Sequence, residues 1–278
     1  MLKSKEGAKM SNRPIGVFDS GLGGLTVLKE IKKILPDENI VYFGDTARVP
    51  YGPRSKETVM KYTFQAINFL ISKNVKAIVI ACNTATARAL KEAKEKYDVP
   101  VLGVIEAGAR TAAYSTKNKI VGVIGTAGTI NSKAYNQEIG KIDKDIKIID
   151  KACPLFVPIV EEGWANTDIA HLTAKRYLDE LKEQNIDSLV LGCTHYPLLK
   201  RTIGEIVGPE IKLVNPAKET AKDLNDILEA NSIVKDPGEG LSSCEYYVSD
   251  IPDKFAEVAK EFLNEEIENV QHVEIQKY

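Results

Sequence analysis

The sequence lacks the features of several large classes of protein. Its four cysteines are too few for a disulfide scaffold in a chain of 278 residues, and no two of them form a CxxC pair, so we expect a reducing compartment, the cytoplasm. No apolar run approaches the ~20 residues that span a bilayer, and the N-terminal segment is polar. A formal net charge of -2 leaves no electrostatic footprint for nucleic acid. Membrane anchoring, secretion and nucleic-acid binding are therefore not expected.

Length and composition indicate a globular protein with more than one domain. Hydrophobic residues make up 44% of the chain and charged residues 27%. A length of 278 residues favours two domains of roughly 100–150 residues each. We expect residues 1–13 to form a flexible tail. The expected partner is a small molecule, and a second copy of the chain in a homodimer is the alternative.

Apolar runs alternate with amphipathic segments along the chain. The runs predict strands at 14–18, 40–43, 77–81, 101–105, 120–125, 146–150, 188–192 and 211–214. Helical spacing of apolar residues predicts helices after Gly24 and at 59–72, 84–97, 168–184, 217–230 and 253–263. The alternation predicts an α/β fold with largely parallel sheets, helices on both faces, and ligands at the carboxyl ends of the strands.

An internal repeat relates the two halves of the chain. Aligning Cys82 with Cys193 gives an offset of 111 residues, and the same offset aligns VPYG at 49–52 with VEEG at 160–163. IGVFDSGLGG falls on VGVIGTAGTI at a similar offset. The repeat predicts two pseudo-symmetric α/β domains that face a shared cleft. The predicted domains are residues 14–106 plus 215–278, and residues 107–214.

Two of the four cysteines stand where a predicted strand ends. Cys82 begins CNTAT and Cys193 begins CTHYP, so polar residues follow each of them. If the two halves face each other, each supplies one thiol to the same cleft. Cys153 and Cys244 are interpreted as small core residues.

Three kinds of site compete as interpretations of these residues. Cys82, Cys193 and His195 could supply three ligands to a catalytic zinc, although no fourth protein ligand is visible. Cys193 and His195 could form the nucleophile–base pair of a hydrolase or transferase. A binding module for amino acids would keep the cleft and need neither thiol. His171 and His272 are interpreted as surface residues.

The glycine-rich segment DSGLGG at 19–24 lies between a predicted strand and a predicted helix. Its glycines do not match the GxGxxG spacing of a dinucleotide site. Two interpretations stay open: a tight turn in which Ser20 satisfies the first amides of the helix, or a set of free backbone N–H groups that binds a small carboxylate. Asp19 is placed to order an ammonium group or the proton of a neighbouring thiol.

Six segments together resemble the glutamate racemase family. They are FDSGLGGLTVLKEI, YFGDTARVPYGPRS, ACNTATA, VIGTAGTI, CPLFVPIVEEG and LGCTHYPLL, and they follow the family's order from residue 14 to about residue 200. The two cysteine motifs are the specific part of the resemblance. The resemblance thins over about the last sixty residues, so no functional residue is transferred to that part of the chain.

The resemblance implies an enzyme that interconverts L- and D-glutamate without a metal or any other cofactor, with the D form serving peptidoglycan synthesis. Cys82 and Cys193 would be its acid/base thiols, with Cys82 acting on D-glutamate and Cys193 on L-glutamate. An aspartate racemase is the nearest alternative within the class.

The resemblance also implies auxiliary groups and substrate contacts. Asp19, Glu161 and His195 would orient or tune the thiols, with Glu162 as an alternative to Glu161. The implied substrate contacts are Asp19, Ser20, Tyr51, Gly52, Asn83, Thr84, Thr126, Thr194 and His195.

Overall fold

Two parallel β-sheets form the framework of the chain, in a computed structural model that describes residues 11–236 and 240–278. The strands are β1 (Ile15–Asp19), β2 (Ile40–Gly44), β3 (Ala77–Ile80), β4 (Val101–Gly103), β5 (Ile120–Gly125), β6 (Lys147–Ala152), β7 (Ser188–Gly192), β8 (Lys212–Val214), β9 (Cys244–Val248) and β10 (Gln271–His272). The first sheet has the strand order β10-β9-β2-β1-β3-β4, and the second has the order β6-β5-β7-β8. The strand pairings described in both sheets are parallel.

Helices connect most successive strands and cover the sheets. They are α1 (Leu25–Ile34), α2 (Lys56–Ser72), α3 (Asn83–Lys96), α4 (Val104–Ser115), α5 (Ala127–Ser132), α6 (Ala134–Ile142), α7 (Phe156–Glu161), α8 (Asp168–Lys182), α9 (Lys200–Val207), α10 (Pro216–Ala230) and α11 (Pro252–Leu263). Within the two described ranges, no helix combines the length and the apolar character that crossing a membrane requires.

Burial on both faces of the sheets explains why the sequences of these strands are continuous apolar runs. β1, β2, β3 and β7 are buried along their whole length, as expected for parallel sheets that carry helices on both sides. Helix α1 shows the complementary pattern, because Leu25, Leu28 and Ile31 lie in one core with residues of β1 and β3. The predicted α/β fold with parallel sheets is confirmed.

The two sheets share one strand order. β2-β1-β3-β4 in the first sheet corresponds to β6-β5-β7-β8 in the second. Cys82 follows β3 and Cys193 follows β7, so the cysteines occupy equivalent places in the two halves. The common order is the structural counterpart of the internal repeat.

The structure contains elements that the sequence patterns did not predict, among them helices α4, α5, α6, α7 and α9. The predicted strand at 101–105 ends at Gly103, and helix α4 begins directly after it. Strands β9 and β10 were not predicted, and β9 extends the first sheet by pairing with β2. Helix α10 packs against both α1 and α4. The proposed domain boundaries near 106 and 214 remain predictions.

A buried ion pair holds the beginning of the described chain. Lys76 Nζ lies 2.5 Å from Glu38 Oε2, and both side chains are almost fully buried. The ammonium also donates hydrogen bonds to the carbonyl oxygens of Ser11 at 2.5 Å and Ile233 at 2.8 Å. Ser11 is buried, and residues 1–10 lie outside the described residues. The flexible tail expected over 1–13 remains a prediction.

We predict that Lys76→Met lowers the free energy of unfolding by about 3–5 kcal/mol, because the Glu38 carboxylate then stays buried without its cation. Urea unfolding followed by circular dichroism measures the change. The control is Lys33→Met, which removes an exposed ammonium beside Glu30 and should cost less than about 1 kcal/mol. Equal stabilities of the two variants would contradict the prediction.

Candidate active site

A cleft lies where the carboxyl ends of the two sheets meet. Loops after β1, β2 and β3 form its first side, and segments after β5, β6 and β7 form the second. The residues that line it are Ser20, Val49, Pro50, Tyr51, Gly52, Cys82, Asn83, Thr84, Thr126, Val157, Cys193, Thr194 and His195.

Most of the residues predicted for the site line this cleft. The two exceptions, Asp19 and Glu161, lie behind the lining residues and contact them. Sequence reasoning missed Val49, Pro50 and Val157. The first two belong to the VPYG segment that the internal repeat marks, whereas no sequence signal distinguishes Val157 from other apolar residues of α7.

Cys82 reaches the cleft from the N-terminus of α3. It is the cap residue of that helix, and it is buried. Burial raises the pKa of the Cys82 thiol to about 12, and the nearby Asp19 carboxyl adds to the increase. Hydrogen bonds from the Ser20 side chain and the Ala85 amide act in the opposite direction. The Cys82 thiol is therefore protonated at neutral pH.

Cys193 enters from the other sheet with a histidine beside it. Its Sγ lies 3.8 Å from His195 Nδ1, and His195 Nε2 lies 3.0 Å from Glu161 Oε1. Burial lowers the pKa of His195, but hydrogen bonds to Cys193 and Glu161 outweigh it and raise the pKa to about 10. The ring is therefore a cation at neutral pH, held between a sulfur and a carboxylate. Of the two adjacent carboxylates, Glu161 is the one that contacts it, and Glu162 is exposed at the end of α7.

Asp19 occupies the amides of the glycine-rich loop. The Gly21 amide donates to its Oδ2 at 2.9 Å, and Thr194 Oγ1 donates to its Oδ1 at 3.4 Å. Burial raises the pKa of Asp19, whereas His195 and the loop amides oppose that change. The carboxylate that this loop binds is thus the protein's own. The alternative in which Ser20 caps the helix is wrong, because α1 has no side-chain cap.

Glycines in this loop let the two halves of the chain meet. A Cβ on Gly23 would overlap with Thr194 Oγ1 and with the His195 ring, and a Cβ on Gly24 would overlap with Asp19. Neither glycine has a positive φ. Close packing therefore requires glycine here, and not an unusual turn: Gly23 packs against the second half, and Gly24 packs against Asp19 within the first half.

Polar side chains connect the two sides of the cleft. Thr84 Oγ1 of the first half lies 2.8 Å from Thr126 Oγ1 of the second. The Tyr135 hydroxyl donates to Asn83 Oδ1 at 2.8 Å. The cleft therefore presents hydroxyl and amide groups that can bind the carboxylates and the ammonium group of a small amino acid.

The other cysteines and histidines do not line the cleft. Cys153 is fully buried and Cys244 is partly buried at the start of β9, whereas His171 and His272 are exposed. In the part of the chain that the structure describes, no three His, Cys, Asp or Glu residues are grouped so as to hold a metal ion.

Comparisons with known proteins point to one family. Residues 15–224 match the family model described as Asp/Glu/Hydantoin racemase. A glutamate racemase of Geobacter metallireducens is 50% identical over 264 residues, which are 95% of this chain and 97% of the relative. One of Thermoanaerobacter pseudethanolicus is 50% identical over 269 residues, or 97% of this chain and 100% of the relative. The crystal structure of the Francisella tularensis glutamate racemase in complex with D-glutamate matches with a TM-score of 0.90 at 42% identity, and the match covers 96% of this chain and 100% of that one.

We predict that Glu161 helps to keep His195 protonated above neutral pH. In an NMR titration of labelled histidine, His195 should titrate near pH 10, and Glu161→Gln should lower that midpoint because an amide stabilises the imidazolium less than a carboxylate does. Since the folded pKa exceeds the usual 6.5, the charge on His195 stabilises the fold below pH 6.5. This contribution is lost as the pH rises through about 10.

Glu162→Gln is the matched control, because Glu162 neighbours Glu161 in sequence and is exposed at the end of α7. The midpoint of His195 should stay within error of the wild-type value in this variant. Equal downward shifts in both variants would contradict a specific role for Glu161.

Proposed function

The chain belongs to the Asp/Glu/hydantoin racemase family, and we propose that it is a glutamate racemase that inverts the α-carbon with two thiols and no cofactor. The observation that carries the proposal is that Cys82 and Cys193, from equivalent positions in the two halves, line one cleft. The names of the relatives at about half identity support glutamate as the substrate.

Inversion of an α-carbon explains the need for two thiols. A base must remove the α-proton from one face, and an acid must return a proton to the other face. The α-proton is a very weak acid, so hydrogen-bond donors must stabilise the negative charge that develops on the substrate. One side chain cannot easily serve both faces of the same carbon, whereas thiols from two facing halves can.

The neighbours of the two sulfurs suit unequal roles. The His195 cation lies beside Cys193 Sγ, and Cys82 is protonated because burial raises its pKa. In the proposed reaction, Cys193 acts as the base that takes the α-proton of L-glutamate, and the Cys82 thiol donates its proton to the opposite face to give D-glutamate. In the reverse direction the two sulfurs exchange roles.

The remaining predicted residues have auxiliary roles in this proposal. Glu161 keeps His195 charged, and Asp19, which raises the pKa of Cys82, orders the first-half loop and adjusts the proton affinity of that thiol. The substrate is bound by the predicted contacts that line the cleft, Ser20, Tyr51, Gly52, Asn83, Thr84, Thr126, Thr194 and His195, and Asp19 supports them through its hydrogen bond with Thr194.

The biological role follows from the product. We propose that the enzyme supplies D-glutamate for peptidoglycan synthesis in the cytoplasm. The four cysteines are free thiols, which is consistent with a reducing compartment.

One contact favours a second candidate function. The distance of 3.8 Å between Cys193 Sγ and His195 Nδ1 suits the nucleophile–base pair of a cysteine hydrolase. That chemistry gives Cys82 no role, although Cys82 lines the same cleft. Racemisation uses both thiols and is therefore preferred.

We predict that the purified protein racemises glutamate in both directions with no added metal or pyridoxal phosphate. Circular dichroism of the substrate should decay to zero, because enantiomers are equally stable, and prolonged chelation with EDTA should not change the rate. Aspartate should react at least about tenfold more slowly, because it lacks one methylene. Faster turnover of aspartate would identify an aspartate racemase, and inactivation by EDTA would contradict the cofactor-free mechanism.

We predict that Cys82→Ala and Cys193→Ala each lower racemisation by about 10²–10⁴-fold or more, because one of two proton transfers is lost. In deuterated water each variant should still exchange the α-hydrogen of one enantiomer: L-glutamate when Cys193 remains, and D-glutamate when Cys82 remains. Proton NMR of the substrate measures this exchange.

Both thiol variants should remain folded, because the lost side chain is small and lines a cleft. Thermal unfolding provides that control. Undiminished racemisation by Cys82→Ala would refute the two-thiol mechanism and favour the hydrolase.

A further inference from the structure

A buried carboxylate behind the cleft joins distant parts of the chain. Asp45 directly follows β2 and is fully buried. Its oxygens accept hydrogen bonds from Arg48 Nε at 2.7 Å, Tyr51 Oη at 2.5 Å and Ser249 Oγ at 2.8 Å. Tyr51 lines the cleft, whereas Ser249 lies 204 residues further along the chain from Asp45.

Further hydrogen bonds connect the loop after β2, residues 45–52, to the C-terminal segment, residues 244–250. Strand β9 pairs with β2, and Ser249 directly follows β9. The Ala47 amide donates to Ser249 Oγ at 2.9 Å. Thr46 Oγ1 donates to the Asp250 carbonyl oxygen and accepts from the Asp250 amide, each at 2.9 Å. The first residues of the loop are therefore held by residues that follow β9.

Helix α2 holds the same loop from its other side. The Arg48 guanidinium donates to Gln65 Oε1 at 2.5 Å and lies 4.0 Å from the centre of the Tyr62 ring. Arg48 thus connects Asp45 to α2, and the loop is anchored at two separate elements.

The far end of the loop has little room to move. A Cβ added to Gly52 would lie 2.9 Å from the Thr126 Cβ of the second half. Tyr51 and Gly52 both line the cleft. A small displacement of this loop would therefore change the shape of the space in which a substrate binds.

We propose that Asp45 and Ser249 are positioning residues, through which the C-terminal segment fixes Tyr51 and Gly52 in the substrate cleft. The inference rests on the proposed function, because it treats these two cleft residues as contacts of glutamate. The alternative is that the same hydrogen bonds only stabilise the fold. A positioning role changes the KM of a variant that remains folded, whereas a purely stabilising role changes the thermal midpoint and leaves KM unaltered.

Ser249→Ala is the first test, because it removes the hydroxyl that joins Asp45 to Ala47. We expect the KM for each enantiomer to rise about five- to fiftyfold, as the loss of one or two buried hydrogen bonds implies. The kcat should change less than about twofold, because Tyr51 and Gly52 bind the substrate and take no part in the proton transfers.

Two further variants test whether the rise in KM is specific to the hydrogen bonds of this loop. Thr46→Val removes only the exposed contacts with Asp250 and should raise KM in the same direction by a smaller factor. Thr63→Val is the matched control, because it removes a buried hydroxyl whose hydrogen bond goes to the Val59 carbonyl within α2. KM should be unchanged in this control, even if the thermal midpoint falls.

A double-mutant cycle tests whether Asp45 transmits the effect. Tyr51→Phe keeps the ring in the cleft and removes the hydroxyl that donates to Asp45. Since Ser249 and Tyr51 act through one carboxylate, the double variant should raise KM little more than the more severe single variant. Additive effects on the logarithm of KM would overturn transmission through Asp45.

Hydrogen exchange measured by mass spectrometry separates this inference from the proposed function. In Ser249→Ala, amides of residues 45–52 should exchange faster than in the wild type, and those of residues 63–70 in α2 should not. A wild-type protein that does not racemise glutamate would refute the proposed function, and exchange would then decide the positioning role alone. An unchanged KM, or unchanged exchange at 45–52, would overturn the positioning role.

Discussion

Direct packing between the two halves, which requires glycine at the points of contact, is the constraint on which the rest of the structure depends. Gly23 packs against the side chains of Thr194 and His195, and Gly52 packs against Thr126. Contacts this close leave little space for water at the bottom of the cleft. Desolvation is accordingly the largest single influence on the pKa values of the Cys82 thiol, the Asp19 carboxyl and the His195 imidazole.

The two halves share a strand order but surround their cysteines with different charges. Cys82 lies near a carboxyl group, Asp19, which raises its pKa. Cys193 lies beside His195, whose ring is positively charged at neutral pH. A repeated backbone thus brings two thiols to one cleft, while unequal neighbours give them different surroundings. In the proposed mechanism, this difference in surroundings suits one thiol to act as an acid while the other acts as a base.

The sequence by itself determined the fold class, the repeat and most of the cleft. Buried parallel strands need continuous apolar runs, and these are visible in the sequence without a structure. Polar residues directly after two such runs identified Cys82 and Cys193, because the carboxyl ends of parallel strands are where ligands bind. β9 was missed because CEYYV at 244–248 contains a charged residue and is only partly buried at its start. Its pairing with β2, and not its own pattern, makes it a strand.

Only the tertiary structure decided which partner each polar side chain meets. The sequence left Glu161 and Glu162 as alternatives, and the orientation of α7 places the first against His195. The sequence also left the ligand of the glycine-rich loop open, and the fold fills the loop with Asp19. The contact between Asp45 and a serine 204 residues away has no sequence signal at all. Such contacts depend on how distant segments pack, whereas hydrophobic periodicity records only whether each residue faces the core or the solvent.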